Sequence, residues 1–98
     1  MPVIEIARFR LKAEADATAF AVLDRGVQDG YVTQQPGFLA RESGAADDGE
    51  WVVVVHWETP QDADASMAKF ATDPMAADFM ALIDTSTMSM KRFEHANP

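Results

Sequence analysis

Two side chains in this sequence sit where a proton-transfer group would be useful: Glu5 on the otherwise apolar face of the first strand segment VIEIARFRLK, and His56 in the apolar run WVVVVHW. A carboxylate in apolar surroundings can act as a general base, and imidazole is the side chain that ordinarily titrates near neutral pH. Each has a structural alternative. Glu5 is either solvated or ion-paired near the open end of a sheet, or a buried acid able to act as a base. His56 either takes part in catalysis or pairs with a charge across a subunit interface. Tyr31 either presents a phenol to a ligand at a helix end or caps the core. Met67, Met75 and Met80 either line a plastic apolar pocket or fill gaps in the core. His95 falls in a C-terminal tail and carries little weight.

The absences are equally informative. No phosphate-binding loop, nucleophile elbow, metal-ligand spacing or nucleic-acid motif is present, and the chain has no cysteine. Thiolate chemistry and disulfide scaffolds are therefore out. Any enzymatic reaction is expected to need neither metal nor cofactor.

The elements that must position these groups follow from periodicity. Val3 to Lys12 alternates Arg8 and Arg10 with Ala7, Phe9 and Leu11, which is a strand with one apolar face. Asp16 to about Val32 is helical, with Phe20, Leu23, Val27 and Tyr31 on one stripe. Gln35-Pro36-Gly37 ends that helix. A second strand runs from about Phe38 to Ser43, a Gly- and Asp-rich hairpin loop spans Gly44 to Gly49, and Trp51 to Trp57 forms a third strand. Thr59 and Pro60 start a helix whose apolar stripe is Ala63, Met67 and Phe70. Asp73 and Pro74 restart it, with Ala76, Phe79, Met80 and Ile83 on a second stripe. Thr87 to Glu94 is the last strand.

The order βαββαβ predicts an α+β, ferredoxin-like fold: a four-stranded antiparallel sheet with its helices on one face. Residues two apart on a strand share a face. Glu5, Ala7, Phe9, Leu11, Trp51, Val53, Val55 and Trp57 are expected to meet the helices, and Ile4, Ile6, Arg8, Arg10, Val52, Val54 and His56 to face away. Arg8, Arg10 and Arg41 read as interface or rim charges. The second face carries too many apolar side chains for solvent, so two sheets packing face to face in a homodimer are expected.

At 98 residues the chain is one domain, 1–98, burying about 60 to 65% of the surface its unfolded form exposes. The formal charge of -8 disfavours nucleic acid and acidic membrane surfaces as partners. No apolar run reaches the roughly 18 to 20 residues that cross a bilayer, and no signal-peptide pattern opens the sequence. A cytoplasmic location is expected.

The Pro36-Gly37-Phe38 turn, the strand ending Val55-His56-Trp57-Glu58-Thr59, and the following helix with Asp73-Pro74 and Phe79 resemble the antibiotic biosynthesis monooxygenase family of dimeric α+β barrels. The resemblance runs from the first strand to the last. It implies a pocket between sheet and helices in each subunit, on the face assigned to Trp57. The fold hosts cofactor-independent quinone-forming monooxygenases, haem-degrading enzymes, cyclases and isomerases. Trp57 matches a pocket-bordering Trp of the haem-degrading branch, but that branch's strand-one Asn and helical His have no counterpart here. A cyclase branch uses two His at positions that look like Glu5 and Ala76.

Two readings stand. In the first, the protein is a cofactor-independent monooxygenase acting on an aromatic or polycyclic phenolic substrate, with Glu5 or His56 taking a proton and Trp57, Phe38, Phe79, Tyr31 and Met67 around the rings. In the second, it is a non-catalytic dimeric barrel that binds a small apolar ligand or serves a structural role.

Overall fold

The structure, a computed structural model, describes residues 1–97. Strands β1 (Val3–Leu11), β2 (Phe38–Ala45), β3 (Trp51–Trp57) and β4 (Ile83–Glu94) form one antiparallel sheet in the order β2-β3-β1-β4. Helices α1 (Ala17–Gly30), α2 (Pro60–Phe70) and α3 (Pro74–Ala81) connect them. The predicted ferredoxin-like α+β fold is the observed one.

Each helix starts where its capping chemistry dictates. Asp16, Thr59 and Asp73 have extended backbones and accept hydrogen bonds from the N–H groups of Thr18, Asp62 and Met75. Pro opens α2 and α3, a position where its missing N–H costs nothing. The turn before β2 depends on Gly37, whose φ of 79° lies in the left-handed region. Its carbonyl accepts from the Glu58 N–H at 2.8 Å, joining the entry of β2 to the exit of β3.

Strand alternation separates the two sheet faces as expected. Val3, Phe9, Val53, Val55 and Trp57 are buried against the helices, whereas Ile4, Ile6, Val52, Val54 and His56 on the other face are only half-buried. The core centres on Phe20, which is fully buried and packs against Phe9, Trp51 and Phe79 with ring centroids 5.7, 4.9 and 5.0 Å away. Edge-on and tilted pairs of this kind suit the aromatic quadrupole.

Three expectations are corrected. The first helix ends at Gly30 rather than near Val32, and a 3₁₀ turn, Val32–Gln34, follows; Gly26 and Gly30 weaken the last turns. Within α1, Asp24 rather than Leu23 is buried, because it is ion-paired inside the fold. The last strand begins at Ile83, not Thr87. Ile83, expected on the helical stripe, pairs with Leu11 of β1 and is buried. The polar run after it masks the strand: Ser86 donates to Asp84, and the Arg10 N–H donates to Thr87 Oγ1 at 2.8 Å, where the β1–β4 register shifts between Arg8 and Arg10.

Candidate functional site

Between the sheet and α2–α3 lies a cavity of about 770 Å³, floored by all four strands and roofed by the helices. Its size is that of a site for a multi-ring molecule, and its wall is mostly apolar. Met67, Met80, Met88 and Met90 line it, and Met67 and Met90 are exposed, so adaptable thioethers stand where the cavity meets solvent.

The polar groups of the floor come from one rung of the sheet. Arg41 pairs with Val55, Val55 with Glu5, and Glu5 with Arg92. Val55 is buried toward the helices, so alternation puts its three charged neighbours on the same side. Glu5 and Arg41 both line the cavity. The Glu5 side chain is 12% exposed and accepts from Arg92 Nη2 at 3.0 Å. Arg92 Nη1 donates to Asp64 of α2 at 2.8 Å, so one guanidinium ties sheet to helix. The hydrogen bond to Asp64, then the one to Glu5, holds the Arg92 pKa above its ordinary value. Glu5 is therefore ion-paired, as one of its two expected readings has it, and it is also part of the cavity wall.

At the other end of the rung, Arg41 corrects its reading as a rim charge. Its side chain is 3% exposed, and its Nη2 donates to Asp24 Oδ1 at 2.7 Å. Arg41 Nη1 donates to Gln28 at 3.2 Å, and the Ser43 hydroxyl donates to the second Asp24 oxygen. Sequence reasoning missed this cluster. The available signal was an acid at i+4 from Phe20, on the apolar stripe of α1, in a chain with an arginine on the inward phase of β2.

The remaining candidates separate cleanly. Trp57, Tyr31, Phe79 and Met67 line the cavity. Phe38 does not line it; it packs edge-on against Trp57, centroids 6.1 Å apart, supporting that side chain from behind. Tyr31 spends its hydroxyl on the Ser66 carbonyl at 2.6 Å, which fixes α2 to the end of α1. His56 is on the opposite sheet face, its ring 5.9 Å from that of His95, and does not line the cavity. The sheet thus keeps Glu5 and His56 apart. Trp57 is 2% exposed, and its indole Nε1 finds no acceptor among the described residues.

The sequence pattern of antibiotic biosynthesis monooxygenases matches residues 2–81. No curated protein matches the chain in sequence. Among solved structures, SnoaB, a cofactor-independent oxygenase from Streptomyces nogalater, is 18% identical with a TM-score of 0.81, the match covering 99% of this chain and 95% of that one. Rv0793 from Mycobacterium tuberculosis is 19% identical with a TM-score of 0.73, covering 100% and 98%. A conserved protein from Methanosarcina mazei Go1 reaches a TM-score of 0.75 at 9% identity, covering 96% and 92%. At these identities the structural likeness speaks for the fold alone, whereas the sequence pattern spans most of the chain: the protein belongs to the antibiotic biosynthesis monooxygenase family.

Proposed function

We propose that this protein is a cofactor-independent monooxygenase that takes an aromatic or polycyclic phenolic substrate into the cavity between the sheet and α2–α3. The observation that carries the proposal is a large apolar cavity with a carboxylate, Glu5, on its wall. Description of the structurally similar SnoaB as a cofactor-independent oxygenase supports it. In this reading Trp57, Tyr31, Phe79 and Met67 enclose the rings and exclude water. Glu5 accepts a proton from an activated ring carbon, and the resulting carbanion reduces O₂ directly. A ring CH₂ becomes C=O, one oxygen atom entering the product and the other leaving as water, so the substrate supplies all the electrons. His56 lies across the sheet and has no part in this step.

The subunit is proposed to act as a homodimer. Ile4, Ile6, Val52, Val54 and His56 form a half-exposed apolar face that a second sheet would cover. A second reading, a barrel that binds an apolar ligand without chemistry, is favoured by the commitment of Glu5 to Arg92 and of Tyr31 to Ser66. Oxygen uptake with anthrones and hydroquinones separates the two. The oxygenase is expected to consume O₂, and Glu5→Gln to slow it by about 10²- to 10⁴-fold, the usual worth of a general base. No uptake with any substrate would leave the binding reading; uptake unchanged in Glu5→Gln would remove the base from Glu5.

A further inference from the structure

We infer that the hydroxyl of Ser66, on the roof of the cavity, hydrogen-bonds an oxygen of the bound ligand, a ring carbonyl or the phenol to which it tautomerises. The inference rests on the proposed cavity site and adds to it a polar contact on the roof. Ser66 lies on the inward side of α2: it follows the fully buried Ala63 by three positions, is itself 7% exposed, and lines the cavity. A serine inside a helix ordinarily satisfies its hydroxyl on the carbonyl four residues back. This one does not. Tyr31 takes up the Ser66 backbone carbonyl, and the hydroxyl has no partner among the described residues. Nor is it sealed: the unpartnered side-chain atoms closed to solvent among those residues are Trp57 Nε1 and Arg92 Nε. For a side chain this buried, the space its oxygen reaches is the cavity it lines.

Folding alone does not call for a serine there. Ala71, Ala76 and Ala77 fill neighbouring positions of the roof, and alanine at 66 would favour the helix more while burying no polar group.

Glu5 gives the complementary half. Arg92 holds one of its carboxylate oxygens, whereas Oε1 has no partner among the described residues and is not closed off either. The chain of bonds Glu5–Arg92–Asp64 joins β1 to α2, and Ser66 is two residues beyond Asp64, about 3 Å further along the helix axis. Ser66 is thereby held above the stretch of floor that carries Glu5, with an acceptor below and a donor above. In the proposed oxygenation this pairing has a specific use. When Glu5 takes a proton from a ring CH₂, the C–H electron pair passes into the ring and collects on the conjugated carbonyl oxygen. Ser66 donates a hydrogen bond to that oxygen and keeps its own proton. A preorganised donor in an apolar site stabilises this charge more than it stabilises the neutral carbonyl.

Fluorene and fluorenone share a ring system and differ by CH₂ against C=O, so they test the contact without turnover. Equilibrium dialysis of the full chain, without oxygen, should show Ser66→Ala weakening fluorenone by about two- to tenfold, the worth of one neutral hydrogen bond, with fluorene unchanged. The carbonyl stretch of bound fluorenone should lie at lower wavenumber in the wild type than in Ser66→Ala. The thermal midpoint of Ser66→Ala should stay level or rise, because no bond within the fold is lost. With anthrone and oxygen, Ser66→Ala should lower kcat by about 10²-fold or more, while KM changes no more than the fluorenone affinity does. An unshifted carbonyl stretch, equal loss of both ligands, or a clear fall in the midpoint overturns the Ser66 contact and leaves the cavity reading standing. A fluorenone affinity that depends on Ser66, without oxygen uptake from any substrate, supports the contact and removes the oxygenase. Binding of neither compound overturns both.

Discussion

Replacing Arg41 with methionine removes a cation but leaves the anion it neutralises. In the wild type the Asp24 side chain is 8% exposed and that of Arg41 3%, joined at 2.7 Å. After Arg41→Met, Asp24 keeps only the Ser43 hydroxyl, which cannot replace the lost water and the lost charge. Breaking a buried pair in this way costs about 3 to 5 kcal/mol, a large share of the roughly 5 to 15 kcal/mol that holds a domain together. At about 4 to 8 °C per kcal/mol for a chain of this size, the midpoint of thermal unfolding should fall by at least about 12 °C. Circular dichroism with heat and urea measures it, and the urea slope should not change. Asp24→Asn/Arg41→Met should recover most of the loss, since neither charge then remains buried. By contrast, the exposed Arg25–Asp29 pair on α1 should be worth no more than about 0.5 kcal/mol. Stability of Arg41→Met within about 1 kcal/mol of wild type would refute the reasoning, because Asp24 would then have to reach water.

Gly37→Ala should destabilise by about 1 to 3 kcal/mol in urea titrations, because φ is 79° there and an added Cβ would lie 2.7 Å from the Cβ of Asp62; a neutral effect would mean that the β2 turn can relax. The backbone N–H of Glu50, and then Arg10, hold the Asp48 carboxyl below its ordinary value of 3.8. Its contribution to stability is therefore complete above that ordinary value and lost as pH falls through the lowered folded one; a carboxyl titration by NMR with a midpoint at or above 3.8 would contradict the geometry. Val54→Asp, on the half-exposed sheet face, should turn the proposed dimer into a folded monomer in sedimentation velocity, whereas a wild-type monomer would remove the dimer altogether.

Much of the site was legible because strands obey a period of two. WVVVVHW alone placed Val53, Val55 and Trp57 inward and His56 outward, and the structure keeps that division. The same alternation put Glu5 on the helix side, where it meets the cavity. Phe38 packs edge-on against Trp57 and is not part of the cavity wall, because strand phase gives a face but not a depth. Arg41 was misread because the sequence argument treated charge as a mark of exposure, and its partner Asp24 is 17 residues away on another element.

The sequence by itself determined the order of elements, their caps and the face that each strand residue takes, because these depend on contacts within a few residues. Only the tertiary structure decided the rung that joins Arg41, Val55, Glu5 and Arg92. That alignment is set by pairing offsets between distant strands and by register shifts between Phe38 and Ala40 and between Arg8 and Arg10. A slip of one residue would turn every side chain of a strand to the other face. The chemistry of this cavity therefore depends on a register that no local pattern encodes.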